Sequence, residues 1–559
     1  MRIFSFKMWL IGDSLSAHSF FKNFIIWVVV MLMTTSSTIA RQLVIDDLNY
    51  LLDSETKTAV LLNKGDGNYS GDIIVPEKVK AFGGVEYLVV AFNQYCFYKA
   101  SELTSVTIPS SVKSLGNFCF NGCSSLKSII IPSSVTSLGE SCFSGCSSLS
   151  SITISPNLTS LGDCCFKGCS SLTSVNIPSS VSSLVRSCFE DCSSLKSITM
   201  TSSVTSLGSG CFRGCSSLKS IIISPNLTSL GGFCFEDCSS LKSITIPSSV
   251  TSLGGGCFRG CSSLDSINIP PTVSSLGNYC FEYCHSLTSV TIPSSVTSLG
   301  GSCFRRCISL TSVNIPSSVT TIMDKCFEDC YNLSTVTIPS SVTSLGVCCF
   351  HRCRSLTSVN IPSSVTTIKD ACFEDCSNLS SVTLPSSLTE LPYKCFQNCR
   401  SLTAITIPSS ITAFGYLSFW DCVNLKTVYF RGKNPLFVDI SFQGVPKTCI
   451  IMVPSKYLKA YRSVLVSVFD YIYPWDPDES GDQEPANINL AKTRGIVASA
   501  HDGIVSISGL DNGEVVKFYA ADGKLLGSSS AVGGVASCAV SEKMVIAKIG
   551  MNTIKVLIK

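Results

Sequence analysis

The sequence predicts a repeat solenoid followed by a small antiparallel β-sandwich, and three observations lead to this prediction. A Cys-Phe pair recurs fourteen times at a constant spacing of 23 residues, from Cys96 to Cys395. Each 23-residue repeat, here called a rung, contains a short stretch in which apolar and polar residues alternate. Residues 490–559 lose this period and show longer alternating stretches separated by Asp-Gly and Asn-Gly. A fixed period of this length indicates stacked units, because one rung cannot bury its own apolar face.

The rung SLTSVTIPSSVTSLGGSCFRRC, at residues 286–307, shows how one repeat is organised. Alternation over residues 290–292 favours a short strand with one buried face, and the proline that follows ends it. The spacing of Cys303, Phe304 and Cys307 suits one helical turn. We therefore expect each rung to contain short parallel strands and a short helical turn.

The same alternation separates buried from exposed residues in neighbouring rungs. The predicted structural ladder in the core consists of Cys257, Phe258, Cys261, Leu264, Ile267 and Ile269. The polar residues between them point away from the core, and the candidate binding face consists of Ser266, Asn268, Ser289 and Thr291.

The run LTSVTIPSSVTSLG, followed by CF, C and L, resembles the leucine-rich repeats of the BspA-like type found in bacterial surface proteins. The resemblance covers about sixteen rungs, since Ser418-Phe419 and Ser441-Phe442 continue the period after Cys395. It implies a leucine-rich-repeat solenoid and a surface-exposed binding protein. The family usually has Ala before the Phe where this chain has Cys, and both residues are small enough to be buried.

The chain has 32 cysteines, fourteen of them at each of two repeat positions. A zinc site needs four converging ligands, whereas a Cys pair here recurs every 23 residues and the chain has only four histidines. A catalytic thiol needs one special environment rather than fourteen equal ones. We predict reduced, buried cysteines that pack as small apolar residues. Disulfides are the alternative, because export favours oxidation.

Composition and motifs argue against several function classes. Apolar residues make up 45% of the chain and charged residues 14%, with a net charge of +3, so that no strong field indicates a nucleic-acid partner. Catalytic signatures such as GxSxG, HExxH or a phosphate-binding loop do not occur in the sequence. We predict no enzymatic activity, no cofactor and no metal.

One charged position alternates in sign from rung to rung. Glu190, Arg213, Glu236, Arg259 and Glu282 follow one another at the second position after each first cysteine. Stacked opposite charges attract across neighbouring strands, whereas like charges repel. The sequence predicts a ridge of exposed pairs along which charges neutralise one another, each pair being weak. The alternative is a polyampholyte stripe that binds a partner.

The predicted domains follow in order along the chain. Residues 1–40 are a signal peptide, since the apolar run Phe24–Met33 is too short to span a membrane and small residues end at Ala40. An N-terminal cap at 41–95 precedes the repeats at 96–455, and a segment with an apolar stripe forms a C-terminal cap at 456–473. An acidic stretch rich in Pro and Gly predicts a linker at 474–489, which leads to the β-sandwich at 490–559.

The C-terminal domain resembles the sorting domain of the type IX (Por) secretion system of Bacteroidetes, through DGIVSISGL, VVKFYAADGKLL and the terminal TIKVLIK. The resemblance implies passage across the outer membrane, with surface attachment or release. We predict a secreted or cell-surface, adhesin-like protein without a transmembrane span, whose partner is a protein or glycan on host or neighbouring cells. The alternative is a purely structural surface-layer solenoid or an ice- or glycan-binding one.

Overall fold

The computed structural model describes residues 41–65, 67–433, 440–475, 497–501, 504–520, 524–540, 544–549 and 552–557. The predicted signal peptide and most of the predicted linker therefore lie outside the described residues. The chain divides into two compact modules, an N-terminal one up to Leu172 and a C-terminal one from Thr173 onward.

The N-terminal module combines the segment predicted as a cap with the first rungs. Its strands are β1 (Arg41–Ile45), β2 (Leu48–Asp53), β3 (Thr58–Leu61), β4 (Gly71–Ile74), β5 (Lys78–Lys80), β6 (Glu86–Phe92), β7 (Leu103–Thr107), β8 (Ser114–Leu115), β9 (Ser128–Ile130), β10 (Ser137–Leu138), β11 (Ser151–Thr153) and β12 (Ser160–Leu161). Strands β1, β2 and β3 form an antiparallel meander, after which β6, β8, β10 and β12 continue the same sheet in parallel.

The repeats of the C-terminal module give two short strands in most rungs. These strands are β13 (Ser174–Asn176), β14 (Ser183–Leu184), β15 (Ser197–Thr199), β16 (Ser206–Leu207), β17 (Ser229–Leu230), β18 (Ser289–Thr291), β19 (Ser298–Leu299), β20 (Ser312–Asn314), β21 (Thr321–Ile322), β22 (Thr335–Thr337), β23 (Ser344–Leu345), β24 (Ser358–Asn360), β25 (Thr367–Ile368), β26 (Ser381–Thr383), β27 (Glu390–Leu391), β28 (Ala404–Ile407), β29 (Ala413–Phe414) and β30 (Thr427–Phe430). Neighbouring rungs pair in parallel without any shift in register, so that β18 lies against β20 and β19 against β21.

The core of each rung is built from residues that recur every 23 positions and therefore stack on their equivalents in the neighbouring rungs. Phe258 is fully buried and its ring stacks on those of Phe235 and Phe281, with centroids 5.6 Å apart on both sides. Such repeated stacking buries a large aromatic side chain in every rung and supplies much of the apolar area that the fold removes from water. The predicted solenoid of 23-residue repeats is thus confirmed.

The predicted helical turn is the part of the rung that differs from expectation. The segment around the two cysteines forms consecutive turns, in which the Cys261 N–H donates to the Phe258 carbonyl at 3.1 Å. Between these turns, the N–H groups of Phe258 and Gly260 donate to the next rung, at 2.9 and 2.7 Å. Gly256 and Gly260 also adopt left-handed φ angles of 62° and 72°. A helix cannot form, because its N–H groups are committed to the neighbouring rung and two residues have the wrong hand.

The repeats are followed by a segment that contains two strands and an α-helix. Strand β31 (Ile450–Val453) continues the parallel sheet, a turn of 3-10 helix at Ser455–Tyr457 leads into α1 (Leu458–Leu465), and β32 (Tyr471–Pro474) pairs with β31. On α1, Tyr461 and Leu465 are buried. The apolar stripe that predicted a cap at 456–473 is therefore the buried side of α1.

The C-terminal residues form two antiparallel sheets, as predicted. Their strands are β33 (Val497–His501), β34 (Ile504–Ser508), β35 (Val515–Ala520), β36 (Leu525–Ser530), β37 (Val535–Ala539), β38 (Met544–Ile549) and β39 (Asn552–Leu557). One sheet has the order β33-β34-β37 and the other β36-β35-β38-β39. Alternate residues such as Ile507, Phe518 and Ala547 form their common apolar core.

Candidate binding face

The exposed side of the longer strand of each rung carries the residues predicted as a binding face. In β18, Ser289 and Thr291 are exposed and the residue between them is buried. Ser266 and Asn268 are exposed on the preceding rung, and Asn268 forms a parallel bridge with Thr291. The structure thus brings the four candidate residues together on two adjacent rungs.

This face offers hydrogen-bonding groups at regular intervals. Ser289 lies opposite Ser312 and Thr291 opposite Asn314, and the hydroxyl and amide groups repeat at the strand spacing of ~4.8 Å. The Ser266 hydroxyl donates to Asp265 Oδ1 at 3.0 Å. Such a row can bind an extended polymer, because successive groups of the polymer meet the same chemistry on successive rungs.

The predicted structural ladder lies directly behind this face. Its members are all buried, with exposed fractions between 0% and 7% for Cys257, Phe258, Cys261, Leu264, Ile267 and Ile269. Ile267 and Ile269 alternate with the exposed Ser266 and Asn268, as the period of two in a strand requires. The face therefore rests on a close-packed support.

The second cysteine of each rung makes a contact that sequence reasoning did not foresee. Cys261 Sγ donates a hydrogen bond to the Phe235 carbonyl of the preceding rung at 3.1 Å, and Cys284 Sγ makes the equivalent bond to Phe258 at 3.2 Å. Thiol groups are weak donors, and here each adds a second hydrogen bond to a carbonyl that already accepts a backbone N–H, from Cys238 for Phe235 and from Cys261 for Phe258. The sequence did contain an indication of this bond. The second cysteine recurs without exception from Cys123 to Cys422, although other small residues would also fit the space.

The chemistry of these thiols is that of packed side chains. All 32 cysteines are free in the structure. Burial raises the pKa of Cys257 well above its usual value, and burial raises the pKa of Cys280 to about 12. Since the thiolate is the nucleophile and the metal ligand, protonated buried thiols serve neither role. Among the described residues, no cluster of His, Cys, Asp and Glu has the geometry to hold a metal ion.

The alternating charges pair across neighbouring rungs, as predicted, and form a continuous network. Arg259 Nε donates to Glu282 Oε2 at 2.6 Å, and Arg305 Nη1 donates to Glu282 Oε1 at 2.9 Å. The Glu282 side chain is only 3% exposed, whereas Arg259 is 36% exposed. The prediction that these pairs are exposed is wrong for the carboxylates, because the long arginine side chains lie over the shorter carboxylates and exclude water from them.

A histidine replaces arginine at one step of this network. His351 Nδ1 lies 3.4 Å from Glu328 Oε1, and Nε2 lies 3.7 Å from Glu374 Oε2. Although burial opposes it, the hydrogen bond to His351 and the charge of Arg305 lower the pKa of Glu328 to about 2. The side chains of this grouping contact one another across three rungs and help to hold the rungs together.

A surface groove of about 630 Å³ lies along rungs in the middle of the C-terminal module. Its lining includes the exposed side chains of Tyr279 and Met323 together with Lys325 and Lys369. Lys369 Nζ pairs with Asp324 Oδ1 at 3.6 Å. Sequence reasoning missed the groove, because residues that distinguish it from other rungs, such as Met323 and Lys325, occupy variable positions of the repeat.

The fold and this face define a leucine-rich-repeat solenoid. The family model of the BspA type leucine rich repeat region matches residues 90–219, 183–310 and 320–447, which together exceed half of the chain. The chain belongs to the BspA-type leucine-rich repeat family, as its repeat motif predicted.

Solved structures show the same kind of repeat. A leucine-rich repeat protein from Bacteroides ovatus is 30% identical, with 69% of this chain and 94% of that chain covered and a TM-score of 0.59. A leucine rich cell surface protein from Faecalibacterium prausnitzii is 22% identical, with 79% and 96% covered and a TM-score of 0.32. A leucine-rich repeat protein from Eubacterium ventriosum is 22% identical, with 72% of this chain and 94% of that chain covered and a TM-score of 0.40.

A search of curated proteins finds no match to this sequence. In the part of the chain that the structure describes, no helix has the length and apolar character needed to cross a membrane.

Proposed function

We propose that this protein is exported and that it binds macromolecules of host or neighbouring cells through the exposed face of its parallel strands. The observation that carries the proposal is the row of exposed polar side chains that includes Ser266, Asn268, Ser289 and Thr291, supported by a fully packed core. A rigid row of this kind loses little conformational entropy on binding, because its backbone is already ordered by the stack.

The chemistry of the charged groups supports a role in binding rather than catalysis. A general acid or base needs a pKa near the working pH and access to a substrate. The Glu282 carboxylate instead accepts hydrogen bonds from two arginines, and desolvation raises the pKa of the cysteine thiols, Cys257 among them. We propose that these groups hold the scaffold together and that the protein is not an enzyme.

Export would bring the binding face to its partners. The apolar segment that ends near Ala40 is proposed as a signal peptide, and the C-terminal sheets as a type IX sorting domain. Fractionation of the native host, with mass spectrometry of the mature ends, tests this. We expect an N-terminus at Arg41 in the outer-membrane or medium fraction, whereas an unprocessed protein in the cytosol would contradict export.

The binding role is tested with the full chain on immobilised matrix proteins, glycans and bacterial cells. A variant with Ser289→Trp and Thr291→Trp blocks the face, and a matched variant with Thr297→Trp and Thr320→Trp changes exposed residues elsewhere on the rungs. We expect the first variant alone to lose a partner bound by the native protein. Equal binding by both variants, or no binding by the native protein in the whole screen, would refute the proposal.

A further inference from the structure

Three lysines lie above one another on the strand side of adjacent rungs in the C-terminal module. Lys196, Lys219 and Lys242 occupy the same repeat position, and all three are exposed. The stacking register is defined by the parallel bridge between Thr199 and Ile222 and by the hydrogen bond from the Lys242 N–H to the Lys219 carbonyl at 3.2 Å. We name these three residues the lysine row.

The lysine row carries three positive charges at the same position of successive rungs. Within the described residues, none of its three ammonium groups takes part in a salt bridge. Like charges repeated at the strand spacing of ~4.8 Å repel one another. On the next rung the same position holds Asp265, which ends the row.

Repulsion between stacked like charges is avoided elsewhere on the same rungs, in the charge network. There, Arg213 pairs with Glu236 at 2.7 Å, and Glu236 also pairs with Arg259. Positive and negative side chains thus alternate along the charge network, whereas the lysine row repeats a positive charge on the strand side of the same rungs. A row of cations that form no salt bridge has a natural complement in a linear chain of anions.

The groups beside the lysine row favour a saccharide as the carrier of those anions. Ser197, Ser220 and Ser243 are exposed next to the three lysines and offer hydroxyl groups along the same line. Ile222 is 82% exposed two residues beyond Ser220 and offers a small apolar surface. On the three rungs of the lysine row, the described residues 196–199, 219–222 and 242–245 include no aromatic ring on which a nucleic-acid base could stack.

We infer that the lysine row binds a linear polyanionic glycan that bears sulfate or carboxylate groups at regular intervals. The inference rests on the proposed binding role and names the class of ligand and the part of the strand face that takes it. Each ammonium contacts an anionic group of the polymer, and the adjacent hydroxyls hydrogen-bond to its sugar oxygens.

The test measures binding of the full chain to immobilised heparin, with uncharged dextran as the control polymer. The test variant carries Lys196→Ser, Lys219→Ser and Lys242→Ser, because Ser and Thr occupy this position in other rungs and folding is preserved. The matched variant carries Lys426→Ser, Lys459→Ser and Lys517→Ser and has the same net charge. Lys426 occupies the same repeat position with a threonine on the preceding rung.

We expect the test variant to bind heparin at least about tenfold more weakly, and the matched variant to stay within about twofold of the native protein. Native binding should weaken steeply as salt rises, and dextran should not bind. Equal losses in both variants would overturn the inference, since net charge alone would then explain binding. Polyphosphate or duplex DNA that binds as tightly as heparin, and depends on the same lysines, would overturn the assignment to a glycan.

The outcomes also separate this inference from the broader proposal. A native protein that binds a partner through Ser289 and Thr291, but binds heparin no better than dextran, would overturn the inference and leave the binding role standing. A loss of heparin binding confined to the test variant supports both.

Discussion

Replacing Glu282 with Gln tests whether the charge network is a buried structural element. The carboxylate accepts hydrogen bonds from Arg259 Nε at 2.6 Å and Arg305 Nη1 at 2.9 Å. The amide of Gln has one oxygen acceptor, and its NH₂ group meets an arginine donor, so that one charge-assisted hydrogen bond is lost and another is weakened. Each such bond is worth ~1.5–3 kcal/mol, but the arginines remain 36% and 24% exposed and recover part of their hydration. We expect a loss of ~2–4 kcal/mol in the free energy of unfolding.

The matched control is Glu86→Gln, which removes a carboxylate with two cationic partners at an exposed position. Glu86 lies 3.4 Å from Lys78 and 3.3 Å from Lys80, and its side chain is 44% exposed. Because water and salt screen this pair, its loss should barely change the unfolding midpoint, and at 1 M salt, where the Debye length is about 3 Å, not at all.

The assay is urea unfolding followed by circular dichroism, repeated at low and high salt, with hydrogen exchange of the amides in the rungs around Glu282. Exchange is needed because repeat proteins open locally and a single midpoint averages over many rungs. The effect of Glu282→Gln should persist at high salt and be concentrated in the flanking rungs. Equal shifts for the two variants, or a Glu282→Gln effect that disappears at 1 M salt, would refute the burial argument.

Three further predictions follow from the same geometry. Phe258→Ala should cost ~3–5 kcal/mol of local stability and Ser266→Ala under ~0.5 kcal/mol in denaturant titration, and similar losses would contradict their inward and outward positions. Cys257→Ala should be milder than Cys261→Ala, which also removes the thiol hydrogen bond to the Phe235 carbonyl of the preceding rung; the reverse order of unfolding midpoints would count against that hydrogen bond. The folded pKa of Glu328, about 2, is below the ordinary 4.5, so its stabilisation is present above pH 4.5 and lost as the pH falls through 2. The loss of stability over this range should be smaller in Glu328→Gln, and parallel curves would contradict the assignment.

The solenoid could be predicted from the sequence because its information is periodic. The 23-residue spacing places Phe258 on Phe281 in any stacked arrangement, and alternation around Ile267 distinguishes the core from the face. The antiparallel sheets at the C-terminus were equally predictable, since turn residues separate alternating stretches.

The helical turn was predicted wrongly because residue spacing does not show where backbone N–H groups donate. The apolar spacing of Cys257, Phe258 and Cys261 fits a helix, yet Gly256 and Gly260 adopt left-handed angles and the intervening N–H groups bond to the next rung. A glycine recurs at Gly210 and Gly214, but in the rung that follows Gly256 and Gly260 tyrosines occupy both positions, at Tyr279 and Tyr283. The need for a left-handed φ angle at these positions was therefore hidden in the sequence, because non-glycine residues also adopt that angle there, at some cost in strain.

The burial of the carboxylates in the charge network also could not be predicted from the sequence. Alternation of Glu282 with Arg259 and Arg305 was visible in the sequence, but the burial of the carboxylate depends on how the arginine side chains lie across it. The lysine row shows the converse case, since its members are visible in the sequence only after the stacking register is known.

The two-rung period of the charge network constrains how this protein can grow during evolution. A duplicated rung carries its own hydrogen-bond donors and acceptors, so that insertion of any whole repeat satisfies the backbone. Within the stretch from Glu190 to Glu374, however, insertion of a single repeat would place two carboxylates or two guanidinium groups next to each other at the network. Duplications in this stretch should therefore be retained in pairs of 23 residues, and the length of the binding face should change in steps of two.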